Sequence, residues 1–311
     1  MPAQPLRVRA AERQDVPSGS SDLRLPAKNG SLKFAVIGDT GTGDEHQYAV
    51  GQQMARARSR FPFEFVIMAG DNMYGADKPA DFVKKFEKPY KQLIEEGVKF
   101  YAALGNHDNA SNQVNYKPFN MGGREYYSFR PKLGVRFFAL NSNYMDQKQL
   151  AWLDTELAAS GSDWKIVYFH HPIYASGMHG SNMELRAVLE PLFLKYGVTV
   201  VITGHEHFYE RIKPQQGIQY FVVGGSAKLR KGDIENRGLT AKGDDKDYTF
   251  MLVEIVDNQL YFQVVSDSGK SIDYGMVTRI DKTPSGRPEI KAAAGTAGKA
   301  GSEEKATAPP R

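Results

Sequence analysis

Short apolar runs alternate with amphipathic stretches through the middle of the chain. Positions 33–38 (KFAVIG), 63–69 (FEFVIMA) and 99–104 read as buried strands. Between them, 45–59 and 79–96 read as helices. Asp44 opens the first, with Gln47 three positions on completing a capping box, and Pro79 opens the second. Residues 125–130 and 135–141 alternate as antiparallel strands do. Further on, 147–159 and 183–196 read as helices and 165–169 and 199–203 as strands. The strands 219–224, 248–256 and 259–266 close the series, the last two joined by an Asp257-Asn258 turn. Met54, Leu185, Leu189, Leu192 and Phe193 fall at helical spacing and read as core. The pattern predicts a mixed α/β fold without internal repeats. Every early strand runs into a polar, Gly-containing loop, and in such sheets functional groups gather at the carboxyl ends of strands.

Composition narrows the possibilities. The 311 residues are 41% hydrophobic and 24% charged, as in a globular protein with a sizeable core. There is no Cys, which excludes disulfides, thiolate zinc sites, iron–sulfur clusters and cysteine nucleophiles. No apolar run approaches the roughly 18 residues that span a bilayer, so no membrane span is expected. The net charge of +4 sits in the flanks: residues 1–30 carry five Lys/Arg against three acids, and residues 282–311 carry six against three. Both flanks lack an apolar period and read as disordered, leaving one domain over 31–281. Because the basic excess lies there, no nucleic-acid partner is expected. Residues 1–30 hold no apolar stretch of a secretory signal. The expected location is periplasmic or secreted if a signal was removed, and otherwise cytoplasmic.

Five strand-terminal loops carry the chemistry: Gly38-Asp39-Thr40-Gly41, Gly70-Asp71-Asn72-Met73-Tyr74, Gly105-Asn106-His107-Asp108, His170-His171-Pro172 and Gly204-His205-Glu206-His207. Any one alone reads as a turn or a solvated loop. Together they place acid, amide and imidazole, in that order, at the ends of successive strands, which independent turns have no reason to do. Carboxylate, amide oxygen and imidazole suit Mg, Mn, Fe and Zn. Asp39, Asp71, Tyr74, Asn106, His170, His205 and His207 suffice for two ions, and a carboxylate is the natural bridge between ions roughly 3.5–4 Å apart.

These loops resemble the five motifs of calcineurin-like metallophosphoesterases: GDxG, GD, GNH, a motif ending in His, and GHxH. The second reads GDxxY and the fourth, Val167 to His170, reads VxxH, which is similar to purple acid phosphatases. The likeness spans residues 33–265. It is greatest to the small, single-domain, mammalian-type, tartrate-resistant acid phosphatase-like members. It implies a four-layer α/β/β/α sandwich. It also implies Fe(III) held by Asp39, Asp71, Tyr74 and His207, and Fe(II), Zn or Mn held by Asp71, Asn106, His170 and His205, with Asp71 shared. A trivalent ion suits Tyr74, because a phenol of pKa about 10 must lose its proton to ligate.

The activity so implied is hydrolysis of phosphate monoesters by direct attack of a metal-bound hydroxide, at mildly acidic pH. The partner is a small phosphorylated substrate; the oligomeric state is not read. His107 follows a ligand, and His179 lies nine residues after His170, where small members carry a second substrate-facing His. Both are expected to bind the phosphate, with Asn106, and to protonate the leaving group. His171 reads equally as orienting the ligands or as packing. Asp108 and Glu206 read as local hydrogen-bonding groups, and Lys228, Arg230 and Lys231 as a solvated basic run, with contact to an anionic substrate as the alternative. A phosphodiesterase or nucleotide hydrolase on the same centre, or a non-catalytic metal-dependent binding protein, are the alternatives.

Overall fold

The fold is described from a computed structural model over residues 23–235 and 238–279. The first strands are β1 (Leu32–Ile37), β2 (Phe65–Met68), β3 (Lys99–Ala102), β4 (Tyr127–Lys132), β5 (Val135–Ala139), β6 (Trp164–Tyr168) and β7 (Val200–Thr203). They are followed by β8 (Tyr209–Ile212), β9 (Gln219–Val223), β10 (Thr240–Asp244), β11 (Thr249–Val256), β12 (Gln259–Ser266) and β13 (Ser271–Thr278). The helices are α1 (Glu45–Arg58), α2 (Pro79–Phe82), α3 (Lys91–Glu95), α4 (Ala110–Gln113), α5 (Gln147–Ala158) and α6 (Met183–Tyr196).

Two mixed sheets result, ordered β13-β12-β11-β1-β2-β3 and β10-β8-β9-β7-β6-β5-β4. In each, the central strands run parallel: β1 with β2 and β2 with β3, then β5 with β6, β6 with β7 and β7 with β9. The sheets pack face to face. Phe34 and Phe65 of the first meet Phe137 of the second edge to face, at 5.1 and 5.5 Å, and Phe221 meets Phe262 at 4.9 Å. Strand alternation then sorts the second sheet. Phe137, Ile166, Tyr168, Val200 and Ile202 enter the inter-sheet core, while Phe138, Val167 and Val201 face Leu153 and Leu157 of α5 and Leu185, Leu189 and Phe193 of α6. Val50 and Met54 of α1 and Leu93 of α3 pack on the first sheet. The architecture is the expected four-layer sandwich.

Some local expectations change. Asp44 caps α1 by accepting the Gln47 N–H at 3.1 Å, but the Gln47 side chain accepts from Gly43 N–H at 2.7 Å, one residue outside a reciprocal box. The helix expected over 79–96 is broken into α2, a π-helical turn (Val83–Glu87) and α3. Pro89 lies inside that range, lacks an N–H and crowds the carbonyl four residues earlier. That carbonyl, on Lys85, accepts from the Gln47 side chain. β8, β10 and β13 were not anticipated, and β13 extends the first sheet past residue 265.

Residues 23–30, expected within a disordered flank, are instead tied to the first sheet. Buried Glu254 accepts the N–H groups of Ala27 and Lys28, each at 2.7 Å, and Gln263 accepts that of Arg24 at 2.8 Å. Leu25 is buried and the Arg24 guanidinium covers the Tyr274 ring. The expected disorder at residues 1–22 and 282–311 lies outside the described residues. Among those described, no helix is long and apolar enough to cross a membrane.

Candidate metal centre

The carboxyl ends of β1, β2 and β3 in one sheet and of β6, β7 and β9 in the other open onto a common edge. Main-chain bonds sew their loops together: Asp39 N–H to Gly70 O at 3.0 Å, Thr40 N–H to Asp71 O at 3.1 Å and Gly204 N–H to His170 O at 3.0 Å. Asp39, Asp71 and His205 have φ of 56°, 49° and 71°, a left-handed backbone that Asp and His tolerate better than most residues. The motif glycines allow the loops to touch. A Cβ on Gly105 would lie 2.2 Å from both the N and Oδ1 of Asp71, and one on Gly204 would lie 2.5 Å from Asp39 Oδ2.

All seven expected ligand side chains meet at this edge, in two groups. In the first, Tyr74 Oη lies 3.2 Å from Asp39 Oδ1 and 3.3 Å from His207 Nε2, and the latter two are 3.5 Å apart. In the second, His170 Nε2 lies 3.0 Å from Asn106 Oδ1, 3.1 Å from His205 Nδ1 and 3.4 Å from Asp71 Oδ1. Asp71 also brings a carboxylate oxygen within 4.8 Å of a carboxylate oxygen of Asp39 and a ring nitrogen of His207, so it adjoins both groups. Ligands at about 2.0–2.2 Å from one ion are roughly 3.0–3.5 Å from each other in octahedral or tetrahedral arrays. The observed separations match such polyhedron edges.

The hydrogen-bond inventory shows what is missing from the second group. His170 Nδ1 lies 3.0 Å from the Ala69 carbonyl, which only accepts, so Nδ1 carries the ring proton. Nε2 then holds a lone pair, and faces the oxygens of Asn106 and Asp71. Of its neighbours only His205 Nδ1, at 3.1 Å, has a tautomer that donates to it, whereas a cation between these atoms would satisfy all of their lone pairs at once. Burial, and then neighbouring His171, hold His170 well below the usual imidazole range. Burial takes His205 down to about 2 and His207 down to about 4, the latter with help from Arg230 and Lys228. Neutral imidazoles are what a metal requires. Burial, followed by the charge of Asp71, pushes Asp39 well above the carboxylate range, and burial with Asp39 and Asp71 pushes the Tyr74 phenol far up. The chain on its own does not balance this much buried anionic potential, and cations would.

Around the ligands, His107 is exposed, donates its main-chain N–H to Asp71 Oδ1 at 3.0 Å and sets its ring 4.9 Å from that of Tyr74. The His179 ring lies 4.4 Å from the His205 ring. His171 bonds Ser142 Oγ through Nδ1 at 2.9 Å, its ring lies 4.6 Å from His205, and one of its ring nitrogens falls within 4.8 Å of those of His170 and His205, so it adjoins the second group as a further imidazole. Asp108 acts as a clamp, accepting from the N–H groups of Gly105 and Met73 and from the side chains of Asn72 and Gln113. Glu206, fully buried, accepts from His179 and from Gly180 N–H.

The basic run after Gly224-Gly225 departs from its reading as a solvated face. Lys228 Nζ sits 4.1 Å over the Tyr74 ring, and Arg230 N–H donates to the His207 carbonyl at 2.9 Å. Nothing in the spacing of Lys228 signals this, because the loop that folds it back follows none of the five motifs.

Residues 32–209 match the family model described as calcineurin-like phosphoesterase. The rat (Rattus norvegicus) tartrate-resistant acid phosphatase type 5 is 26% identical over 292 residues, covering 78% of this chain and 89% of the relative. Among solved structures, the Plasmodium protein described as GAP50, the anchor in the inner membrane complex, superposes with a TM-score of 0.72 at 19% identity, covering 82% of this chain and 90% of its own. Purple acid phosphatase PPD1 from yellow lupin (Lupinus luteus) superposes with a TM-score of 0.66 at 19% identity, over 82% of this chain and 55% of its own.

Proposed function

The chain belongs to the calcineurin-like phosphoesterase family and is a metal-dependent phosphatase, and we propose that it hydrolyses phosphate monoesters at a dinuclear centre. The observation that carries this reading is the lone pair of His170 Nε2 directed at the oxygens of Asn106 and Asp71, 3.0 and 3.4 Å away. Asp39, Asp71, Tyr74 and His207 hold one ion, Fe(III), in this reading. Asp71, Asn106, His170 and His205 hold the other, Fe(II), Zn or Mn, with Asp71 shared. Such ions supply Lewis acidity, which acidifies water and neutralises charge on phosphoryl oxygens.

The remaining work falls to the chain. Asn106, His107 and His179 line the exposed side of the site and bind the phosphoryl oxygens. His179, with Nδ1 committed to Glu206, presents Nε2 as a proton donor for the leaving oxygen. His107, held through its main chain on Asp71, stands against the Tyr74 side. Asp108 keeps the Gly105–Asp108 and Gly70–Tyr74 loops in register, so that Asn106 and Asp71 face the same point.

The test compares turnover of an aryl phosphate with that of a bis-aryl phosphate by the metal-loaded protein. The monoester is expected to be the far better substrate. A preference for the diester would make the chain a phosphodiesterase, and no turnover with two ions bound would make it a metal-dependent binding protein.

A further inference from the structure

Two cations stand at the rim of the site, and they differ in one respect. Arg230 Nη1 lies 3.3 Å from Asp233 and 3.6 Å from Glu206, so its charge is already met. Lys228 is half-buried over the Tyr74 ring and has no acidic partner among the described residues. The Tyr74 ring, whose oxygen is committed to the ion in this reading, offers an ammonium on its face only a modest attraction. An ammonium removed from much of its water, without a carboxylate and beside a site built for cations, lacks its counter-charge. The phosphoryl group of a monoester is taken up by Asn106, His107 and His179. A second anionic group carried by the same molecule toward Tyr74 and His107 would meet Lys228 at the rim instead.

We propose that Lys228 is a specificity-determining residue, which selects phosphate esters bearing a second anionic group over esters of neutral alcohols. This rests on the reading of the site as a phosphatase centre. Lys228 supplies a hydrogen-bonded positive charge to that group, while Arg230, neutralised by Glu206 and Asp233, does not.

The matched probes are phenyl phosphate and 3-carboxyphenyl phosphate, which differ by one charge. Lys228→Met, which keeps the apolar stem over Tyr74, is expected to lower the ratio of kcat/KM, carboxylated over plain, by about tenfold, the scale of one charged hydrogen bond. Lys228→Arg is expected to restore most of it. Calorimetric binding of pyrophosphate relative to orthophosphate, on the same metal-loaded proteins, should fall in parallel. An unchanged ratio, or equal losses on both esters, overturns the inference; equal losses would mean that Lys228 binds the scissile phosphate itself. The calorimetric ratio needs no turnover. A protein that binds two ions and cleaves neither ester therefore refutes the proposed activity, while the binding ratio still decides the role of Lys228.

Discussion

Glu206 Oε2 lies 3.1 Å from Nδ1 of His179, so a carboxylate lodged between two proposed metal ligands fixes an imidazole on a different loop. Its other oxygen accepts the Gly180 N–H at 2.9 Å, which pins the loop as well as the ring. Glu206→Gln should therefore act through His179. We expect kcat for an alkyl phosphate to fall about 10–100-fold, at or below the lower end of what a general acid contributes, because the acid is displaced and not removed. The loss should be much smaller for p-nitrophenyl phosphate, whose leaving group departs without a proton. Rates measured against leaving-group pKa check this, and losses that are equal across the series would contradict it.

Gly105→Ala probes how the loops approach each other. The new Cβ would sit 2.2 Å from Asp71 Oδ1, so the shared carboxylate must move. The expected outcome is a protein that folds, with a nearly unchanged far-ultraviolet spectrum, but binds less than its full metal complement. Full metal content in this variant would show that Asp71 is not held where its ligand role needs it.

Asp273 joins the two sheets away from the centre. On β13 it accepts from Tyr209 Oη at 2.8 Å and from Arg211 Nε at 2.7 Å, both on β8 of the other sheet. Asp273→Ala strands a largely buried guanidinium, and should destabilise the fold by about 3–5 kcal/mol. Urea denaturation reads this directly, as a lower midpoint at unchanged slope.

A mixed α/β fold with polar strand-terminal loops was legible in the sequence because the strands leading to them are short and largely apolar, while the four-layer sandwich and the two ligand sets came from the likeness of the five loops to a known family. What escaped has a physical reason in each case. β13 carries Asp273 and Gly275, poor strand formers; Gly275 is tolerated because the Phe262 ring occupies the space of its missing side chain. β10 reads Thr-Ala-Lys-Gly-Asp and, among the described residues, pairs only with β8. Residues 23–30 have no period of their own, and are ordered by Glu254 and Gln263, more than 200 positions away. Lys228 is likewise placed by tertiary folding. Long-range partners of this kind leave no local signature.

Alkaline pH should weaken the fold through its buried phenols. Burial raises Tyr90 to about 12 and holds Tyr127, Tyr168 and Tyr209 higher still, against about 10 in an unfolded chain. Between those values the native state keeps protons that the unfolded state has lost. Their effect on stability is therefore nil below pH about 9 and destabilising above 10, at up to roughly 1.4 kcal/mol per pH unit per tyrosine. Urea midpoints at pH 8, 9 and 11 should be level between the first two and drop at the third. A midpoint that holds at pH 11 would contradict this.

The proposed centre depends on seven side chains holding a pair of ions with Asp71 between them. Metal analysis of the purified protein, combined with its visible spectrum, tests this most directly. Two ions per chain are predicted, iron among them, with a broad violet-region absorption that disappears in Tyr74→Phe. A folded chain that takes up one ion or none when offered iron, zinc and manganese would contradict the shared-aspartate centre.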